Sequence, residues 1–363
     1  MKISKGRFRK MHVILGCVVL IIIVAGVLIG RYIYGNLHPA DERYMKKTLQ
    51  AGFSEKTVSL EDGSLINYGE GPDNGSALLL IHGQGVAWED YASVLPELSQ
   101  SFHVFAVDCY GHGESSHDET LYTCEENGNA LIWFMKNVIG EECFVSGHSS
   151  GGVIAAWLAA NAPEQVKGIV LEDPPLFKVT PEEMRESPSC FAWLDSFVTI
   201  HNFLEQQEET DYVVYYCKNG YLTSLFGGLK DSIVRSVEDF RTENPGKAPK
   251  ISWIPYSWLR GMIYIDLYDL KFGEAFYSGS WRKGTDQEAM LKNINCPVIY
   301  LKAATNYGKD GVLYAANNDE DAQKVQEHIS DCETITIKSG HNIHYEHPDD
   351  FISACVKLLS IAR

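Results

Sequence analysis

Short, largely apolar runs alternate with longer stretches of helical periodicity along most of this chain. Residues 77–81, 102–107, 143–146 and 166–171 read as strands buried on both faces, because they lack the regular polar positions of a half-exposed strand. Residues 88–98, 121–138 and 150–162 between them read as helices. Ahead of these, 57–60 and 64–67 flank Asp62-Gly63, a hairpin signal. The alternation predicts an α/β class: a mostly parallel sheet flanked by helices. It breaks off at Pro174. From there to Asn295 the pattern is mostly helical and holds 20 of the chain's 41 Phe, Trp and Tyr residues. Strand and helix patterns resume at 297–302, 319–329, 334–337 and 348–359. One α/β domain, in two parts at 53–173 and 296–363 and interrupted by a helical insertion at 174–295, accounts for this order.

The first fifty residues follow a different pattern. Lys2, Lys5, Arg7, Arg9 and Lys10 form a basic head over residues 1–10. Residues 13–30 then carry no charge. At about 1.5 Å per residue this run reaches roughly 27 Å, close to a bilayer's hydrocarbon thickness. Arg31, Tyr32 and Tyr34 follow, as interfacial residues do. A single transmembrane signal anchor over 11–30 is expected, with the basic head in the cytoplasm and the body outside. Residues 31–52 read as a linker with a short helix. Three other readings compete: a cleaved signal peptide, a lipoprotein box at Ile14-Leu15-Gly16-Cys17, and a buried core helix. The apolar stretch is long for the first, begins too near the terminus for the second, and is basic-flanked against the third.

Charge and cysteine content narrow the function. The net charge is −17, and five of the 31 Lys and Arg precede the apolar run, so the body is more acidic still. Nucleic-acid binding, which needs a basic face, is not expected. The nine cysteines show no Cys-x-x-Cys pair and no zinc-ligand spacing, and several lie in or beside apolar runs. They read mostly as buried free thiols. No metal or cofactor is implied.

The chemistry lies in a few motifs. Gly147-His148-Ser149-Ser150-Gly151 is a G-x-S-x-G sequence between a strand and a small, apolar helix. That context places Ser149 on a sharp turn, with its hydroxyl exposed above the sheet and a helix N-terminus behind it. Ile81-His82-Gly83-Gln84-Gly85 follows one strand, and Asp108-Cys109-Tyr110-Gly111-His112-Gly113-Glu114-Ser115 follows another. Gly340-His341-Asn342-Ile343-His344-Tyr345-Glu346-His347-Pro348 lies near the C-terminus. With these four features in this order, the chain resembles the α/β-hydrolase fold family over nearly all of 53–363.

The resemblance implies roles. Ser149 becomes the nucleophile and His341 the general base and then acid. The backbone N–H groups of Gln84 and Ser150 form the oxyanion hole. His344 and His347 are expected to be structural, His82 to brace its loop, and His148 to line the pocket wall. The acid departs from the family pattern. Asn306 stands where an aspartate is usual after the strand at 297–302. Asp173, at the end of the preceding strand, is the expected acid, with Asp310 as alternative and Asp319, Asp321 or Asn306 behind it. The plainer reading of Asp173 is a turn residue before Pro174-Pro175.

The insertion then becomes a cap over Ser149. Phe191, Trp193, Phe197, Phe203, Tyr215, Tyr216, Trp253, Trp258 and Tyr264 are candidates for its inner face, although packing of the cap's own core competes for each. The expected function is a membrane-anchored serine hydrolase cleaving an ester or related acyl bond of a small, partly apolar substrate. Carbon–carbon bond hydrolysis, lactone opening and aminopeptidase chemistry use the same constellation. A non-catalytic binding protein on this fold, or a membrane-tethered interaction module, stands against catalysis.

Overall fold

The computed structural model describes residues 5–178, 181–185 and 190–362. Eight strands form one sheet: β1 (Ser54–Ser59), β2 (Leu65–Glu70), β3 (Ser76–Ile81), β4 (Phe102–Val107), β5 (Cys143–His148), β6 (Val166–Glu172), β7 (Val298–Ala303) and β8 (Cys332–Ile337). Their order is β1-β2-β4-β3-β5-β6-β7-β8. β1 and β2 pair antiparallel, with Ser54 opposite Glu70, and β2 pairs antiparallel with β4. The remaining pairs are parallel. This is the α/β-hydrolase fold that the sequence motifs imply.

The strands are apolar at consecutive positions because both faces are covered. Leu79, Ile81, Val145 and Leu171 enter the core on one face. Leu78, Leu80, Phe144 and Val170 enter the core on the other. Side chains alternate across a strand, so each pair of neighbours feeds opposite layers. Complete burial of one Leu or Ile contributes about 2 kcal/mol. Helices Cys124–Phe134 and Ser150–Asn161 cover the first face, and Pro348–Ile361 covers the second through Phe351 and Leu358.

Two helices are shorter than their periodicity predicts. Residues 88–98 form a 3₁₀ turn, Trp88–Ser93, and then a single turn, Leu95–Leu98. Pro96 lies in its first positions, where a missing N–H costs nothing, and it cannot continue a helix from before. Residues 121–138 become helical only after Thr123, whose hydroxyl accepts a bond from the Glu126 N–H at 3.0 Å. A π-helical turn, Met135–Ile139, closes that helix against Gly140.

The apolar run expected at 11–30 is the middle of a longer helix, Lys5–Leu37. Its segment His12–Leu37 is the one helix among the described residues long and apolar enough to cross a membrane. Side chains 12–35 are all exposed, so a buried core helix is excluded. A second helix, Ala40–Gln50, lies against the body, where the Thr48 hydroxyl donates to the Ala92 carbonyl at 3.2 Å.

The cap leaves the sheet after β6 and returns before β7. Its described part is helical. Val213, Val214, Ile233, Val237 and Ile254 form a core of its own, while Phe197, Phe272, Phe276 and Trp281 merge with the main core.

The turn between β5 and its helix requires glycine by space alone. A Cβ on Gly151 would lie 2.3 Å from the Ile81 carbonyl oxygen, and one on Gly147 would lie 2.1 Å from the Gly151 carbonyl oxygen. These are backbone atoms of a buried strand and of the helix packed on it, and they cannot yield. Gly151→Ala is therefore expected to lower stability by about 3 kcal/mol. Gly16→Ala, with nothing within 4 Å of the added atom, should change nothing. Urea unfolding of both variants checks this. An unchanged midpoint for Gly151→Ala contradicts the close strand–helix approach.

Candidate active site

The parallel strands end on one side of the sheet, and the loops that leave them gather the candidate residues. Open α/β sheets bind ligands there. Ser149 follows β5 at φ 53° and ψ −121°, a positive φ that a side chain resists. Its N–H is held by the Glu172 carbonyl at 2.9 Å. Helix Ser150–Asn161 begins at the next residue, so its N-terminus lies beside the hydroxyl.

Asp173 follows β6, also at positive φ, 40°. Its side chain is fully buried. One carboxylate oxygen accepts the Ala303 N–H at 3.1 Å. The other accepts the Ala316 N–H at 3.1 Å and lies 2.7 Å from His341 Nδ1. His341 stands in the loop after β8, just before the turn Ile343–Glu346. With Nδ1 committed to Asp173, Nε2 is the ring nitrogen left for another partner.

The other acid positions lie elsewhere. Asp310 is exposed and accepts bonds from the Tyr221 hydroxyl and the Val312 N–H. Asp319 pairs with Lys302 at 2.9 Å and takes the Thr305 hydroxyl. Asp321 is buried in its helix near Lys178 and Lys324. Asn306 is exposed in the loop after β7.

Ser149 and His341 line one cavity of about 400 Å³, together with Gln84 and Ser150. Its other walls are largely apolar and include Met184, Phe191, Phe197, Leu222, Leu225 and Phe276. Of the nine aromatic residues proposed for the cap's inner face, Phe191 and Phe197 are there. Trp193 instead stacks on Tyr277 at 5.2 Å. Phe203 packs edge-on against Tyr212 and Tyr215, and Tyr216 bonds Asp195 at 2.6 Å. Tyr264 is half-buried away from the cavity, and Trp253 and Trp258 lie on the outside. Helical periodicity locates a buried face but does not say which neighbour buries it.

The loop carrying Gln84 is braced from below. His82 Nδ1 donates to the Gly83 carbonyl at 2.6 Å, and its Nε2 accepts the Cys109 N–H at 3.0 Å. Burial lowers the affinity of His82 for a second proton. His148 does not line the pocket wall. It is buried behind the His341 loop, where its Nε2 donates to the His341 carbonyl at 3.1 Å. Burial drives its pKa down to about 4, so it is neutral. His347 is half-exposed beside Asp350 at 3.4 Å.

Below the cavity lies an ionic cluster whose members sit far apart in the chain. His344 is fully buried between two carboxylates. Its Nδ1 is 2.8 Å from Glu172 Oε1, and its Nε2 is 3.1 Å from Asp90. Its backbone N–H also donates to Glu172 at 2.7 Å. Burial opposes the imidazolium, but the two carboxylates prevail and raise the His344 pKa to about 9. Asp90 is in turn bonded by Arg260 of the cap at 2.7 Å, and Arg260 by Asp41 of the second helix at 3.0 Å. Asp90, His148 and His344 bring ligand-type atoms within 4.8 Å of one another. Both His344 nitrogens and Asp90 are already engaged in ion pairs, and the Arg260 cation opposes a metal ion there. Sequence reading missed Asp90 and Arg260 entirely. The one local signal was Glu172, an acid closing the apolar run Ile169-Val170-Leu171.

With this geometry in place, the chain can be compared with known proteins. The model of the alpha/beta hydrolase family matches residues 78–354. The chain belongs to that family. Its relatives include proteins named as esterases and a lipase. It is 27% identical over 290 residues to a pimeloyl-[acyl-carrier protein] methyl ester esterase of Nitrosomonas europaea, covering 78% of this chain and 94% of the relative. It is 37% identical over 107 residues to lipase LipV of Mycobacterium tuberculosis, covering 29% and 39%. The chain spans only 30%, 39% and 57% of the first three curated relatives it matches. Among solved structures, a bacterial membrane phospholipase A shares the fold, with a TM-score of 0.56, 20% identity and coverage of 97% of this chain and 99% of that one.

The charge on His344 makes stability depend on pH. A histidine that binds its proton more tightly when folded stabilises the fold fully below its ordinary pKa of 6.5 and loses that contribution as pH rises through about 9. The full effect is about 3 kcal/mol. The stability difference between the wild type and His344→Asn is therefore expected to be largest near pH 6 and to shrink steadily toward pH 9.5. Thermal unfolding across that range checks it, and a constant difference means that His344 is neutral in the fold.

Proposed function

We propose that this chain is a membrane-anchored serine hydrolase that cleaves an ester or related acyl bond of a small, partly apolar substrate. The observation that carries the reading is the 2.7 Å contact between Asp173 and His341 Nδ1, beside a positive-φ Ser149 in the same apolar-walled cavity. The esterase and lipase names of relatives point the same way.

In this mechanism Asp173 keeps the His341 proton on Nδ1 and leaves Nε2 to accept. Ser149 Oγ attacks the acyl carbon as His341 Nε2 takes its proton. The carbonyl oxygen, now an oxyanion, accepts bonds from the N–H groups of Gln84 and Ser150, aided by the helix N-terminus at Ser150. Each such donor is worth about 3 kcal/mol in the transition state. As the tetrahedral intermediate collapses, the bond to the leaving oxygen breaks, and His341 gives that oxygen its proton. Water then attacks the acyl-enzyme with His341 again as base, releasing the acid and restoring Ser149. The two backbone N–H partners of Asp173 and the imidazolium offset the burial of its carboxylate. No metal or cofactor enters this scheme. The basic head ahead of the apolar helix favours a cytoplasmic N-terminus, a single span and an extracytoplasmic catalytic body.

A fluorophosphonate probe is expected to label the wild type at Ser149 and to leave Ser149→Ala unlabelled. On a chromogenic ester, Asp173→Asn should lower kcat by about 10³–10⁴, because an amide favours the wrong imidazole tautomer. Asp310→Asn should stay near wild type. Near-full turnover in Asp173→Asn overturns the assignment of the acid, and absence of labelling overturns catalysis itself.

A further inference from the structure

The cap carries an uncharged face beside the apolar N-terminal helix. Residues 219–229 and 251–259 contain no charged side chain, in a chain of net charge −17. Stacking of Phe226 on Trp258, with ring centroids 4.3 Å apart, joins the two stretches into one surface. Four large apolar side chains project from it: Leu225 is 50% exposed, Leu229 52%, Trp253 40% and Trp258 37%. Soluble proteins expose such residues singly, and a cluster of them marks a contact surface.

Position indicates what the surface contacts. The Tyr32 hydroxyl donates to the Trp253 carbonyl at 2.8 Å. The Asn36 side chain donates to the Ser252 carbonyl at 2.9 Å and accepts the Tyr256 N–H at 3.1 Å. Tyr32 lies two residues beyond the charge-free run 13–30, an advance of about 3 Å along the helix. The cap segment that bears Trp253 is thus fixed at the depth where the apolar helix leaves a bilayer. Tryptophan is enriched at that level. An acidic body meets no like-charge repulsion from anionic headgroups through a face that has no charges.

The same face reaches the cavity. Leu225 both lines the cavity that holds Ser149 and His341 and is half-exposed on the apolar surface, with Leu222 behind it. We propose that the cap rests on the lipid bilayer through Leu225, Leu229, Trp253 and Trp258, and that the cavity opens there to take acyl substrates dissolved in the membrane. The inference rests on the anchored-hydrolase reading and adds the substrate class, apolar esters presented by a lipid leaflet.

The test uses the full chain in phosphatidylcholine vesicles. Flotation of catalytically inert Ser149→Ala with the vesicles reports the anchor, independently of any hydrolysis. Trp253 and Trp258 are the exposed tryptophans among the chain's seven. Lipids brominated near the headgroup are therefore expected to quench the floated protein, and Trp253→Phe/Trp258→Phe should remove most of that quenching. If the protein floats and the double variant is quenched as before, the cap does not touch the bilayer and the proposal fails while the anchor stands. If it does not float, anchor and proposal fail together, whereas fluorophosphonate labelling judges the chemistry separately. If both tryptophans are shielded from bromolipid and acrylamide alike, a second copy or another protein covers the face, and the proposal fails.

Substrate access is tested in the active enzyme. Leu229→Asp/Trp253→Asp places charge on the face outside the cavity wall. Turnover of a long-chain ester held in vesicles should fall by about tenfold, with turnover of a water-soluble short-chain ester preserved. Unchanged turnover of the vesicle-held ester, or an equal loss on both substrates, overturns access from the membrane.

Discussion

A carboxylate without solvent must be matched by fixed donors, and Asp173 shows how much structure that demand recruits. Its two oxygens collect an N–H from the end of β7, an N–H from Ala316 in the long loop that follows, and Nδ1 of His341 from the loop after β8. Removing one partner from a buried charge is costly, because the charge itself stays behind. The three loops are therefore locked to one another by a single side chain. The cavity keeps its shape where the walls are otherwise joined only by apolar contact, which has no direction of its own.

A second buried system extends this lock outward. Glu172, His344, Asp90, Arg260 and Asp41 alternate in charge from the end of β6 through the His341 loop and the cap to the second helix. The Arg260 guanidinium also lies 3.5 Å from the centre of the Tyr345 ring, four residues from His341. Core, cap and N-terminal region are thus held in one arrangement. An isolated hydrophobic interface between cap and core could slide. Ion pairs with directed, charge-assisted hydrogen bonds fix a register, so the apolar face of the cap has a defined orientation to the helix that precedes the body.

Much of this was legible in the sequence where the signal was local. Apolar runs marked the strands because burial on both faces leaves no polar alternate positions. The turn at Ser149 was legible because its glycines are demanded by backbone contact. The place of Asp173 at the end of an apolar strand, followed by two prolines, was also local. Other features depended on pairings that sequence distance hides. Arg260 and Asp90 are 170 positions apart, and nothing around either marks the other. His148 was expected on the pocket wall because it adjoins Ser149, but adjacent residues of a strand end point to opposite sides. Most of the cap aromatics were similarly misplaced, since an apolar helix face is equally apolar toward a cavity, a core or a lipid.

The position of Asp173 bears on how the cap joins the sheet. The chain leaves β6 at Asp173 and enters Pro174-Pro175 at once. Each proline holds φ near −65°, so the root of the cap is stiff. Pro174 is also packed close to Gly152, where an added Cβ would meet its own at 2.9 Å. A carboxylate in the loop after β7, as the family pattern would have it, would sit in a long segment whose Leu313 is bonded directly to the cap at Phe191. At the end of β6 the carboxylate stands on the sheet itself, with the prolines between it and the cap.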